Sequence, residues 1–441
     1  MLKRTFSPLF LLLLLSLTLF AQPATETLTL TDCIRYALQN QPAINQSHID
    51  EAIARTNNAI AFSPWLPQVG SGASYSHYFQ LPTVFSNVNG VVTPIHSGVA
   101  NVAIPSVTAT QTLFSNDVLL AGRAAKLNIT EAKQNSALVK IDLVSGVSKA
   151  FYDLLLSIEQ TGVYTEDTAR LRKNQSDAYD RYVSGIVDKV DYKQATIAIN
   201  NSRSQLKTAT EAIGAKYAAL QQLMGYPADK KFTVRFDTAQ MMQDIYVDTL
   251  ATLRVEKRIE YQLLQTAKQL QRETTMYYKL GFLPSASAFY NYNYELESNE
   301  FSNLFDKAYP YSLFGIQLNL PLFTGFKRTE NVHKAHLQET RLDWDDVNLK
   351  LSIYTQYRQA LANYKSNVYY LHTQGENAQM AREVYDIVKL QYREGIKAYL
   401  DVIIAESDLR TSEINYLNAL FQLLESKIDL EKAMGDIPTD I

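Results

Sequence analysis

Turn residues are scarce in this 441-residue chain: 16 glycines and 13 prolines, about 6.6% together, where about 12% is usual. A chain so poor in them is not built mostly from short strands. That excludes a porin-type barrel and an array of β-sandwiches. Cysteine is scarcer still. Cys33 stands alone, so no intrachain disulfide forms and a zinc site of several cysteines is excluded. Charge of one sign is also lacking. The formal net charge is −3 and no basic tract stands out, which argues against a nucleic-acid partner. With 46% hydrophobic and 20% charged residues, the chain is not disordered. Tyrosine is the abundant type, at 28.

The N-terminus has the composition of a targeting signal. Lys3 and Arg4 form a charged start, and Leu9–Phe20 is a 12-residue apolar run, too short to remain as a spanning helix. Residues 1–21 are expected to be a signal peptide, with Ala21 or Ala24 supplying the small residue for cleavage. Cys33 is not set for lipidation, because Asp32 precedes it and the apolar run ends 13 residues earlier. No later segment has the roughly 18 uninterrupted apolar residues of a transmembrane helix. An exported chain that is also membrane-bound then needs another spanning device.

Self-similarity is the clearest internal signal. Tyr182–Gly225 aligns with Tyr392–Gly435 at a fixed offset of 210, without a gap, and ten of 44 positions are identical, where chance gives roughly three. Among the matches are Tyr182/Tyr392, Gly185/Gly395, Asp191/Asp401, Ala195/Ala405, Ser202/Ser412 and Gly225/Gly435. Upstream, Leu66-Pro67 corresponds to Leu283-Pro284, and Leu113-Phe114-Ser115 to Leu322-Phe323-Thr324. The expected organisation is a first repeat over 22–225, an inter-repeat linker over 226–249, a second repeat over 250–435 and a short tail over 436–441. Each half reads as helix, strand, strand, long helix, helix.

Asp32 is expected to cap a helix running to about Ser63, before Pro64 and Pro67 stop it. Period-two patterning follows, with strands expected at about 68–80 and 99–113, then at about 285–296 and 311–322. In the second pair Tyr290, Tyr292 and Tyr294 alternate with Asn291, Asn293 and Glu295, and Phe314, Ile316 and Leu318 alternate with Gly315, Gln317 and Asn319. One face is apolar and aromatic, the other polar. A membrane barrel has this pattern, with Tyr290, Tyr292, Tyr294, Phe314, Ile316 and Leu318 toward lipid and the polar face toward a water-filled lumen. Each strand has about the 10 residues that a tilted spanning strand needs. Four strands cannot close a lumen, since the smallest single-chain barrels have about eight, and open edges are forbidden in lipid. Completion by other copies is therefore expected, and three copies give twelve strands.

Two long helices are expected, from Val118 to Val183 and from Phe326 to Arg393. Each is about 66 residues without proline, or about 100 Å. Leu138, Ile141, Val144, Val147, Phe151, Leu154 and Ile158 recur at threes and fours, the spacing of a coiled coil. A turn at Gly185 or Gly395 and a return helix follow. Both return helices carry a small residue every seven positions: Ala195, Ser202, Ala209, and Ala405, Ser412, Ala419.

In this order, and twice, these marks resemble the TolC-like outer-membrane efflux family. The specific ones are the Pro after the first helix, the junction Leu320-Pro321-Leu322-Phe323-Thr324-Gly325, the tips Tyr182-Val183-Ser184-Gly185-Ile186 and Tyr392-Arg393-Glu394-Gly395-Ile396, and the closing Met-Gly pairs. The resemblance implies a mainly α fold with a small membrane β-barrel: a homotrimer whose twelve-stranded barrel is continuous with a long α-helical barrel in the periplasm. It implies contact with a periplasmic adaptor at the tips, Gly185, Ile186, Gly395 and Ile396, and an inner-membrane pump that is proton-driven or of the ABC type. It also implies a periplasmic gate. Tyr392 and Lys397 match the residues that bond to a neighbouring tip, Asp191 matches their acidic partner, and Asp401 matches an acid lining the constriction. Ile404 stands where the family's best-known member has a second acid, and Val190 where a hydroxyl partner is found. A doubled acidic ring is therefore not expected. The chain ends at Ile441, just past the second Met-Gly, so no long C-terminal extension is expected.

Nothing points to an enzyme. Glu330, His333 and His336 form half of a di-iron signature, but His48 and His372 have Asn45 and Tyr369 at the matching place. A surface patch is the better reading, with no metal and no cofactor. There is no phosphate-binding glycine loop and no G-x-S-x-G, so energy for transport must come from a partner. The function expected is an exit duct of a tripartite efflux or type I secretion machine in the outer membrane. The rivals are a structural envelope-spanning protein without transport, and an exported hydrolase. The cargo is not written in the chain.

Overall fold

The computed structural model describes residues 26–88, 91–235, 245, 247–249 and 252–439. The expected signal segment 1–21, with Ala21 and Ala24, lies outside the described residues, as do most of 236–251 and the last two residues of the tail. The chain divides into two compact units: Met1–Ile44 with Lys140–Thr252 and Tyr357–Ile441, and Asn45–Val139 with Leu253–Gln356.

The described residues start with β1 (Glu26–Leu28), and α1 (Leu30–Asn40) follows. Thr29, not Asp32, caps α1. The Thr29 hydroxyl accepts from the Asp32 backbone N–H at 3.2 Å, and the Asp32 carboxylate accepts from the Thr29 N–H at 3.1 Å. This reciprocal box satisfies two donors that a helix start leaves free. The hydrogen bond with Thr29 also lowers the Asp32 carboxyl below its usual range. The single helix expected to run to Ser63 is broken. Gln41 takes an extended conformation, as a residue before proline does, and α2 (Pro42–Phe62) starts on Pro42, whose missing N–H costs nothing at a first helical position.

The unit built on Asn45–Val139 and Leu253–Gln356 contains the sheet. Its strands are β2 (Gln68–His77), β5 (Asn101–Phe114), β7 (Ser285–Ser298) and β8 (Ala308–Asn319), in that spatial order and all antiparallel. The last expected strand stops three residues early, so Leu320 lies outside β8. An additional hairpin, β3 (Thr83–Val88) and β4 (Val91–His96), sits in the connection from β2 to β5. The plain strand-strand plan of the first half is corrected accordingly; the second half has only a 3₁₀ turn, Phe301–Asn303, at the corresponding connection. Tyr290 pairs with Ala109 on one side and Phe314 on the other, and Ile316 pairs with Ala288 and Leu318 with Ala286. Strand alternation thus puts Tyr290, Tyr292, Tyr294, Phe314, Ile316 and Leu318 on one face, and Asn291, Asn293, Glu295 and Gln317 on the other. Phe314, Ile316 and Leu318 are 69%, 66% and 66% exposed. At one end of the sheet Ala103, Leu296 and Leu304 pack together. There the buried Asn101 side chain accepts from the Tyr75 hydroxyl at 2.8 Å and donates to the Asn299 carbonyl at 3.1 Å.

From β5 the chain enters α3 (Asn116–Val183), and from β8 it enters α6 (Lys327–Arg393). The start expected at Phe326 moves to Lys327, because Gly325 and Phe326 both hold left-handed backbone, φ 60° and 66°. Arg328 stabilises that turn: its guanidinium donates to the Pro321 carbonyl at 2.6 Å and stacks 4.6 Å from the Phe282 ring. α5 (Ile259–Leu280) belongs to the same unit; its Gln265 donates to Asp346 at 2.9 Å and its Lys268 pairs with Asp343 at 2.8 Å. Among the described residues, no helix is long and apolar enough to cross a membrane.

The other unit is helical, apart from β1 and its parallel partner β6 (Phe232–Val234). It holds Lys140–Val183 of α3, α4 (Lys189–Met224), Tyr357–Arg393 of α6 and α7 (Tyr399–Met434). Val144, Val147, Phe151 and Leu154 of α3 are buried, as are Ala195 and Ser202 of α4 and Ala405 and Ala419 of α7; Ala209 and Ser412 are half-buried. Four helices end alike. Directly after Met224 and Met434, and two residues after Val183 and Arg393, comes a glycine with φ between 66° and 77°. The N–H of the next residue returns to a carbonyl five positions back, as in Ile186 to Arg181 and Asp436 to Glu431. These are Schellman stops, in which a left-handed residue without a Cβ penalty lets orphan carbonyls find donors. The linker is anchored by Tyr364, whose hydroxyl donates to the Ile245 carbonyl at 2.8 Å and accepts from the Val247 N–H at 2.9 Å.

Candidate functional site

The residues expected to form the gate lie at the two helix-hairpin ends of the helical unit. Gly185 and Gly395 supply the left-handed turns, and each exposes the residue that follows: Ile186 is 68% exposed and Ile396 72%. Both tips thus present an apolar side chain to solvent. Around the first tip Tyr192 packs on Tyr179, ring centroids 5.1 Å apart, and stacks with Tyr182. Asp188 caps α4, accepting from the Val190 N–H at 3.4 Å.

Tyr392 is drawn inward. It lies in a buried cluster with Ala178, Ala195, Tyr385, Tyr399, Val402, Ala405 and Leu409. Its ring contacts Tyr399, with centroids 5.4 Å apart, and the Arg181 guanidinium lies 4.9 Å above it. Arg181 also donates to the Arg393 carbonyl at 3.2 Å, tying the first hairpin to the second. The hydroxyls of Tyr392 and Tyr399 are buried and, among the described residues, have no hydrogen-bond partner. Burial raises both phenols, and the Asp191 charge adds to each. Asp191 is half-buried in the first turn of α4, and burial, with Asp188 beside it, raises its carboxyl. Asp191 is thus within electrostatic range of Tyr392 without a hydrogen bond between them in one chain. Lys397 is exposed on the second turn, and among the described residues no side-chain partner within the chain meets it.

Asp401 has a local role as well. Its carboxylate accepts from the Ala398 N–H at 3.1 Å, closing the start of α7. Arg181, Tyr399 and Glu406 were not foreseen from the sequence. The offset of 210 pairs Tyr399 with Lys189 and Glu406 with Thr196, so self-similarity passes over them. A signal did exist for Glu406: it falls four after Val402 and three before Leu409, on the apolar stripe of α7. Away from the tips, His336 pairs with Glu339 at 3.2 Å on the surface of α6.

The family model described as outer membrane efflux protein matches residues 33–226 and 264–436. The chain is 20% identical over 438 residues to the outer membrane protein TolC of Vibrio cholerae, covering 96% of this chain and 95% of that one. It is 23% identical over 322 residues to the solvent efflux pump outer membrane protein SrpC of Pseudomonas putida, covering 69% of this chain. That match spans just under two thirds of the relative's length, 64%. Among solved structures, the outer membrane protein VceC of Vibrio cholerae has the same fold, with a TM-score of 0.70 at 16% identity, over 92% of this chain and 96% of that one.

Proposed function

Since the chain belongs to the TolC-like outer-membrane efflux protein family, we propose that it is the outer-membrane exit duct of a tripartite efflux or type I secretion system. The duct is a homotrimer. Its twelve-stranded β-barrel is continuous with a long α-helical barrel in the periplasm. After removal of 1–21 as a signal peptide, two repeats, 22–225 and 250–435, each contribute one strand hairpin and one helix hairpin. The tunnel is passive. A periplasmic adaptor meeting Gly185, Ile186, Gly395 and Ile396, and an inner-membrane pump, proton-driven or ABC, supply opening and energy.

One observation carries this reading: a four-stranded sheet with an exposed apolar face and two unpaired edges, β2 and β8. Unpaired backbone groups do not survive in lipid, so a sheet that enters a bilayer must close on itself, and four strands are too few. Pairing β8 of one copy with β2 of the next closes the sheet by rotation, and three copies give a lumen lined by the polar face. Exposed apolar residues on α6 support the same assembly. Leu337, Trp344 and Leu351 recur every seven residues within one unit, and Met380, Val384, Ile387 and Leu390 follow within the other. Such a stripe on a helix awaits a neighbour.

The gate follows from the same assembly. The Lys397 ammonium, exposed and without a side-chain partner among the described residues, is free to reach Asp191 of the next copy. The Tyr392 hydroxyl, buried within one chain, joins it only when its ring turns out of the cluster, and three copies of Asp401 ring the narrowest point. Light scattering with detergent mass subtracted tests the assembly. A trimer of the 49.9 kDa chain, about 150 kDa before loss of the signal, is expected, and a monodisperse monomer contradicts it.

A further inference from the structure

Behind the tyrosine cluster of the tip, the helical unit buries a group of charges that its hairpin geometry does not require. Glu406 on α7 is 2% exposed and Asp167 on α3 is 0%. Glu406 accepts from the Asn174 amide at 2.8 Å and from Arg170 Nε at 3.4 Å. These two bonds join α7 to α3, and so one hairpin to the other.

The positive charge nearest Glu406 is shared. Arg170 lies within 4 Å of four carboxylates: Glu406, Asp167 and Glu413 at 3.8 Å each for the last two, and Glu166 at 3.7 Å. The other cations are engaged elsewhere. Arg410 pairs with Asp167 at 3.3 Å, Arg382 with Glu413 at 2.5 Å, and Lys389 of α6 donates to the Tyr385 hydroxyl at 2.9 Å. From α4 comes a neutral group, the Ser202 hydroxyl, which donates to Asp167 at 2.6 Å. Tyr399, one buried neighbour on α7 itself, is neutral. Arg170 Nη2, Asp167 Oδ1 and Glu413 Oε2 are all buried without a hydrogen bond. Asp167 and Glu413 thus each have a second arginine, Glu166 is exposed, and Glu406 is left, among the described residues, with the shared Arg170 as its one paired cation, a weak compensation for burying a carboxylate.

Space for solvent lies close by. A cavity of about 400 Å³ opens beside the cluster, lined by Asn174, Asp177, Lys389, Tyr392 and Tyr399 among others. Asn174 both lines it and binds Glu406, so a proton or a hydrating water has a route to this carboxyl.

We propose that Glu406 is a proton-operated tie between the two hairpins: protonation through the tip cavity tightens α7 on α3, and proton release loosens it. Burial first, and then the charge of Asp167, hold the carboxyl up at about 7, against the pull of Arg170, Asn174 and Lys389. In a loosened, hydrated state it returns toward its ordinary value near 4.5. Between these values the packed state binds the extra proton and is favoured. The advantage disappears as pH rises through about 7. The consequence for a duct, that acid favours the closed tip, rests on the function proposed above; the tie itself does not.

Hydrogen exchange on the purified full-length protein in detergent tests it, read at the amides of 167–174 and 399–413 and corrected for the intrinsic effect of pH. One proton with a midpoint near 7 makes the opening equilibrium rise about tenfold from pH 6 to pH 8. Glu406→Gln should exchange alike at both, and Asp167→Asn, which removes the repulsion, should shift the rise to lower pH. If Glu406→Gln does not fold, the wild-type series and Asp167→Asn still decide. Flat wild-type exchange, an unchanged rise in Glu406→Gln, or a rise that Asp167→Asn leaves in place overturns the proposal. Conductance is not needed for this test, so failure of the duct and failure of the tie are distinguishable.

Discussion

Tyr392 contributes its ring to the packing of one chain and leaves its hydroxyl unspent. Removing only the hydroxyl should therefore leave the helical unit nearly as stable as before, within about 0.5 kcal/mol, while removing the bond that the proposed gate asks of it once the ring leaves its cluster. Tyr392→Phe with Lys397→Ala is expected to melt close to the wild type and to raise single-channel conductance. A double mutant that conducts like the wild type while assembling normally moves the gate elsewhere. Asp401 differs, because its carboxylate also closes the start of α7. Asp401→Ala should cost about 1 kcal/mol through the lost cap and, separately, reduce cation selectivity by removing one charge per chain from the constriction. Reversal potentials and thermal melts separate the two effects. At this scale the sequence was only partly legible. Tyr392, Lys397, Asp191 and Asp401 came by resemblance to a family motif. Arg181 over the Tyr392 ring and Asn174 on Glu406 join residues more than 200 positions apart, and neither periodicity nor repeat alignment encodes such contacts.

Secondary-structure elements were far more legible. The long helices end at Val183 and Arg393 as periodicity and the following glycines indicate, because a Schellman stop is a local event with a local signature. The strand alternation of β7 and β8 likewise survives in the register, where Tyr290 faces Phe314. What escaped were features in which a small local signal competes with a strong pattern. The Gln41-Pro42 break sits within a good helical run, and Asp32 resembles a cap until Thr29 is seen to supply the hydroxyl. The β3–β4 hairpin had its signal too, an Asn89-Gly90 pair flanked by valines. Two substitutions test the faces of the sheet. Ile316→Arg should cost about 2–4 kcal/mol if that face meets lipid near the midplane, seen as lower denaturant resistance of the assembled protein. Gln317→Lys, one residue on and on the opposite face, should be tolerated. Equal damage from both points to a packed core on each side instead.

For the whole molecule, the two units divide the work in a way that a single chain does not complete. One has a sheet with free edges and a lipid-compatible face; the other has helix hairpins whose tips expose isoleucine and leave buried hydroxyls unpaired. The symmetric association proposed above would pair the edges and cover the tips, and closed rotational symmetry is the usual way a chain pairs unlike edges of itself. A structural envelope protein would share the sheet and the helices but would need no open lumen and no breakable tip. The most direct measurement is therefore single-channel recording of the purified protein in a planar bilayer, wild type beside Tyr392→Phe/Lys397→Ala. Small, cation-selective openings are expected for the wild type and larger, longer openings for the double mutant. An assembled trimer that passes no current in either form contradicts the proposed duct.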